Sequence, residues 1–169
     1  NLALKQVIWY GVGLLLVFII FKVKNEYLYR NAWFFYILCN LLLLCLLLFA
    51  PAINNSKCWF IIPKIGSFQP SEFTKISLML VLGTMINNFR LDYEEPSIKE
   101  EFIFLLKTFI VVLIPSILTF LEPDTGVVII YFIIYISMLF ASGIRLRWFI
   151  ILGGIILLAI GLVLGCYFT

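Results

Sequence analysis

The chain has 169 residues, 64% of them hydrophobic and 12% charged, with a formal net charge of +3 and a mean hydropathy of +1.14. Soluble domains are about half apolar and a quarter charged, so a water-soluble fold is excluded and lipid must be the solvent for most of these side chains. The 12 Lys and Arg form no block or stripe, which argues against nucleic-acid binding, and the lack of His removes the commonest metal ligand and near-neutral base.

Six apolar runs reach or approach the ~20 residues that a helix needs to cross the hydrocarbon core. In chain order they are Val7–Phe21, Ala32–Ala50, Pro70–Asn87, Phe102–Leu121, Thr125–Ile144 and Trp148–Phe168. Backbone groups in lipid must be satisfied inside the segment, and barrel-type alternation is absent, so helices are expected. The predicted fold is all-α, a polytopic transmembrane bundle of about six spans, with no internal repeat and no soluble domain.

Between the runs, residues 51–69 hold the turn-formers Pro51, Asn54, Asn55, Ser56, Pro63 and Gly66. Residues 88–101 hold Asp92, Glu94, Glu95, Pro96, Glu100 and Glu101 and read as a solvated acidic loop. Glu122-Pro123-Asp124 makes a tight turn between the fourth and fifth runs. Seven basic residues, Lys22, Lys24, Arg30, Arg90, Lys99, Arg145 and Arg147, flank one face, against Lys5, Lys57 and Lys64 on the other. The basic-rich face should be cytoplasmic, which places loops 22–31, 88–101 and 145–147 inside and loops 51–69 and 122–124 outside. Both chain ends then lie outside, and with Asn1 first and Thr169 directly after an apolar run, the sequence is expected to be a piece of a larger polytopic protein.

Charges at membrane depth are costly and point to function. Glu72 and Lys75 stand three apart on one helix face, behind a helix start at Gln69-Pro70-Ser71-Glu72 where Pro suits the first helical position and Glu the positive end. The pair reads either as a polar groove that meets a substrate headgroup or as an ion pair locking helices. Asp124, ahead of Thr125 and Gly126, is expected to cap the next helix; with Glu122 it forms an acidic cluster that could also hold a hard cation. Trp59 and Phe60 read as interface aromatics, Asn40 as a helix–helix hydrogen-bonding residue, Lys107 as a snorkelling cation, Arg145 and Arg147 as topology determinants, and Pro115 as a kink. Cys39 and Cys45 are small lipid-compatible residues; a Cys58–Cys166 disulfide is one pairing that a shared membrane face allows. There is no nucleophile–base pair, phosphate loop or zinc motif, so the residues alone lead to an outward-facing polar site and not to a reaction.

Three separate stretches add a resemblance. Asn55-Ser56-Lys57-Cys58-Trp59-Phe60 followed by Gly66-Ser67-Phe68-Gln69-Pro70-Ser71-Glu72-Phe73-Thr74-Lys75 resembles the first outer loop and next helix of the SEDS family, the shape, elongation, division and sporulation proteins RodA, FtsW and SpoVE. Glu122-Pro123-Asp124-Thr125-Gly126 is similar to the family's Gln/Glu-Pro-Asp-x-Gly turn, and Ser142-Gly143-Ile144-Arg145-Leu146-Arg147-Trp148 to its later cytoplasmic turn. Asn55-Ser56 and Cys58 depart from the family's usual residues before Trp59. The resemblance covers essentially residues 1–169 as the second to seventh of about ten family helices. It implies polymerisation of peptidoglycan strands from lipid II at the outer face of the cell membrane, beside a class B penicillin-binding transpeptidase. It also implies that Glu72 and Lys75 line the substrate cavity, and that Mg or Mn serves a diphosphate donor. Trp59, Gln69, Pro70, Ser71, Glu122, Pro123, Asp124 and Gly126 are its outer-loop motif residues. The family's catalytic Asp belongs to a loop after its seventh helix, so no residue of this chain takes that role, Asp124 included. A lipid-linked precursor flippase and a non-catalytic scaffold for cell-wall partners are the competing readings; a transporter should show repeats and broken helices, and neither is evident.

Overall fold

The computed structural model describes residues 2–50, 58–62 and 66–154. The five long helices are α1 (Leu2–Lys22), α3 (Ala32–Phe49), α4 (Pro70–Asp92), α5 (Ile98–Leu121) and α6 (Thr125–Ala141). They coincide with the first five apolar runs and make a polytopic transmembrane helical bundle. Residues 147–154 are helical where the sixth run begins, and the remainder of that run, with Cys166, lies outside the described residues.

Two elements differ from expectation. The connection after the first run folds as a short helix, α2 (Asn25–Arg30), and the loop before α4 contains a hairpin of β1 (Phe60–Ile62) and β2 (Gly66–Phe68). The strands pair antiparallel with Phe60 opposite Phe68, and the Phe68 ring lies 4.9 Å from that of Phe73, which folds the hairpin onto the first turn of α4. Alternation over three residues is too short to see against an aromatic-rich loop.

Amphipathicity does not orient these helices, because lipid is as apolar as Leu; small and weakly polar residues mark where helices touch instead. Helix α4 shows this best. Ser71, Thr74, Ser77, Leu78, Val81 and Leu82 recur at helical spacing and are all buried, against α3, α5 and α6. Thr74 and Ser77 return their hydroxyls to the carbonyls of Pro70 and Thr74. Helix α1, by contrast, exposes every large apolar side chain from Val7 to Phe21.

Pro115 lies inside α5 and cannot donate to the carbonyl four residues back. That carbonyl, of Val111, accepts instead from the Tyr36 hydroxyl of α3 at 2.8 Å. In a bilayer an orphaned backbone carbonyl has no water to turn to, so the proline ties α3 to α5. Asn40, expected to bond between helices, donates to Tyr36 O of its own helix at 2.8 Å.

The loops sort onto two ends of the bundle. Cys58 and Gln69 meet the 122–124 turn at one end, and residues 90–101 meet the 142–148 turn at the other.

Candidate functional site

At the Asp124 end, Gln69 precedes α4 and Pro70 opens it. Pro is suited there because its missing N–H would have had no helical partner. One turn in, Lys75 Nζ donates to Glu72 Oε1 at 2.7 Å. The two are not equivalent: the Glu72 side chain is 54% exposed and that of Lys75 only 18%. A mostly enclosed ammonium held by a carboxylate at the rim is a point charge directed by its partner.

The neighbouring turn supplies the second half of the site. Asp124 Oδ1 accepts from the Val127 backbone N–H at 3.3 Å, which is the expected cap of α6. Its other oxygen accepts from Gln69 Nε2 at 3.0 Å, across 55 residues of sequence. The Cys58 thiol donates to the Glu122 carbonyl at 3.2 Å, and the Tyr131 hydroxyl makes long contacts with Ser71 O and Thr119 Oγ1. Trp59 is half-exposed beside this cluster, Pro123 and Gly126 are exposed, and Pro70 is buried. The structure thus brings the 58, 69–75 and 122–127 segments together.

Among the described residues, two polar groups here have no partner: Ser71 Oγ and the whole carboxyl of Glu122, a residue that is 0% exposed. Burial, and then the negative charge of Asp124, push the Glu122 carboxyl from its ordinary 4.5 up to about 8. A divalent cation needs several oxygens converging on one point. Asp124 is already engaged on both oxygens, Glu72 is bonded to Lys75 and Glu122 is enclosed, so these carboxylates do not fit one. Among the described residues no three His, Cys, Asp or Glu side chains gather as a metal group.

The opposite end holds the residue that sequence reasoning missed. Glu101, assigned to a solvated loop, is only 2% exposed. Its carboxylate accepts from Arg147 Nη2 at 3.1 Å and Trp148 Nε1 at 2.8 Å and lies 3.3 Å from Arg145 Nε. The loop is shorter than expected because α4 runs to Asp92 and Ser97 caps α5 in a box with Glu100. That Ser-x-x-Glu pattern ahead of an apolar run was the available signal. Arg145 also donates to Pro96 O at 2.6 Å, and Arg90 donates twice to Ser142 O, at 3.0 and 2.6 Å. Lys107 reaches toward this end, where it lines a cavity of about 340 Å³ with Asp92 and Glu100.

A family model described as "Cell cycle protein", that of FtsW, RodA and SpoVE, matches residues 1–167. The chain belongs to this family. It is 30% identical over 148 residues to a probable peptidoglycan glycosyltransferase FtsW of Buchnera aphidicola, covering 88% of this chain and 40% of that protein. It is equally identical over 148 residues to the peptidoglycan glycosyltransferase MrdB of Helicobacter pylori, covering 86% and 38%. Among solved structures it resembles a chain from a study of the structural coordination of polymerization and crosslinking by a peptidoglycan synthase complex, with TM-score 0.73, 26% identity and coverage of 92% and 43%. It also resembles the rod shape determining protein RodA of Thermus thermophilus, with TM-score 0.71, 25% identity and coverage of 92% and 48%. The chain therefore spans about two fifths of the length of the curated relatives it matches.

Within the FtsW, RodA and SpoVE family, the three sequence markers now have physical content. The first two build the Asp124 end together. The third is the turn that Arg90 and Glu101 clamp, and its glycine has a specific reason: Gly143 has φ +74°, a conformation that side chains disfavour, and a Cβ there would come within 3.1 Å of Arg90 Nη2.

Proposed function

We propose that this chain is the part of a peptidoglycan glycosyltransferase that holds the lipid-linked donor, lipid II, during glycan polymerisation at the outer face of the cell membrane. The observation that carries the reading is the Lys75–Glu72 pair, 2.7 Å apart with the ammonium largely enclosed. Lys75 offers a fixed positive charge to a diphosphate, Glu72 orients it, and the N-terminal end of α4 adds the partial positive charge of its unpaired N–H groups. Family membership and the peptidoglycan glycosyltransferase activity named for the relatives support the same reading. The excess of Lys and Arg at the Glu101 end supports placing the 22–31, 88–101 and 145–147 loops in the cytoplasm, and the Asp124 end, with loops 51–69 and 122–124, outside.

The base that deprotonates the acceptor hydroxyl is expected outside this chain, so the residues here bind and orient. A divalent cation, Mg or Mn, is assigned to the substrate's diphosphate and not to these carboxylates. A class B penicillin-binding transpeptidase is the expected partner, in line with the synthase-complex relative.

The test is to supply labelled lipid II to the full-length protein together with its transpeptidase partner. Polymer is expected, and its loss on Lys75→Ala. Translocation of lipid II without polymer would replace this reading with transport, and polymer at the wild-type rate from Lys75→Ala would remove the pair from the site.

A further inference from the structure

Glu122 is the enclosed carboxyl that the site described above does not use. Among the described residues, the titratable and charged groups around it are few. Asp124 belongs to its own turn, the Tyr131 hydroxyl comes from α6, and the Cys58 thiol bonds to its backbone carbonyl. Helix α5 contributes the uncharged Thr119, whose carbonyl receives the Glu122 N–H at 3.2 Å. The charges in the first two turns of α4, Glu72 and Lys75, are paired with each other. No Lys or Arg of the described residues forms an ion pair with Glu122, and neither of its oxygens is hydrogen-bonded.

An enclosed ionised carboxylate without cation or protein donor is among the costliest groups to hold, whereas a neutral acid is far cheaper. The neighbouring Asp124 adds like-charge repulsion to that cost. We propose that Glu122 is a positioning residue that works as a neutral acid: protonated, it seats the 122–124 turn against Cys58 and α4, and the seated turn presents Asp124 to Gln69. The Gln69 contact fixes the residue immediately before Pro70, and hence the first turn of α4 that carries Glu72 and, one turn on, Lys75. The inference rests on the reading of that pair as the substrate-binding charge.

The sign of the pH effect follows from where the proton sits. Between the ordinary carboxyl value of 4.5 and about 8, the seated turn keeps a proton that an unseated turn releases. Seating therefore weakens about tenfold for each pH unit across that window, and levels off above it where both forms are ionised.

Two readouts on the purified protein in detergent test this, neither of which needs substrate. Infrared spectroscopy should find a protonated carboxyl at pH 7 that titrates away near pH 8 and is missing from Glu122→Gln. Hydrogen exchange at Val127 and Val128, corrected for the intrinsic rise with base, should report turn opening that grows with pH in the wild type and stays level in Glu122→Gln. No protonated carboxyl at pH 7, a band unchanged by the substitution, or the same pH slope in both proteins would overturn the proposal. Should Glu122→Gln fail to fold, the wild-type titrations decide alone. A protein that titrates as stated yet makes no polymer would keep the neutral acid and sink the polymerase reading instead.

Discussion

Both ends of this bundle bury a glutamate, and they treat it in opposite ways. Glu101 is surrounded by Arg145, Arg147 and the Trp148 indole, so its charge is fully answered. Among the described residues Glu122 has neither cation nor donor, and at the same end Ser71 Oγ is also unpartnered. Native proteins leave few buried polar groups unpaired, and where local rules are broken the exceptions tend to gather at working sites. One end is a lock, and the other keeps polar capacity in reserve next to a charge pair whose carboxylate is half-exposed.

The lock can be broken first, with the largest expected effect. Glu101→Ala takes this acceptor from two guanidinium groups and an indole; removing one partner of a fully buried pair costs about 3–5 kcal/mol, a ceiling here because the arginine side chains are 46% and 36% exposed. Thermal unfolding in detergent should show a much lower midpoint; a midpoint within a degree or so of wild type would mean that the arginines find other partners at no loss. On the opposite end, Glu72→Gln should leave stability nearly intact, since an exposed pair is worth about 0–1 kcal/mol. Polymerisation should nevertheless fall by about 10²-fold, because Lys75 loses the group that aims it. A rate unchanged from wild type would assign Glu72 to the surface.

Smaller effects sharpen the contrast from within the bundle. Tyr36→Phe deprives the Val111 carbonyl of its donor and should cost about 1–3 kcal/mol. The double variant Tyr36→Phe with Pro115→Ala should recover much of that, since Ala restores the helical N–H; no recovery would break the link between the proline and the tyrosine. Gly143→Ala should cost about 1 kcal/mol from its positive φ alone, and Gly143→Asn less, as read by the same unfolding midpoint.

The spans were legible because oil-soluble runs of near-spanning length admit only helices, and five of the six runs fall on α1, α3, α4, α5 and α6. The tight turn at Glu122-Pro123-Asp124 and the Asp124 cap were legible from turn and cap chemistry, and the Glu72–Lys75 contact from helical spacing. What sequence spacing could not carry was partnership across the chain. Gln69 finds Asp124 across 55 positions, Tyr36 finds Val111 across 75, and Glu101 finds Arg147 across 46. Glu101 was misread for a physical reason: among so many acidic neighbours it looks solvated, and only the fold brings Arg145 and Arg147 to it. The hairpin at 60–68 was missed because three-residue strands carry no period, and α2 because six residues are too few to show one.

The most direct measurement sets stability against turnover for one variant, Lys75→Ala, in the full-length protein with its partner and labelled lipid II. The account predicts an unfolding midpoint close to wild type together with loss of glycan polymer. Polymer made at the wild-type rate, or a midpoint that drops as far as that of Glu101→Ala, would contradict the claim that the Asp124 end is the working face and the Glu101 end the lock.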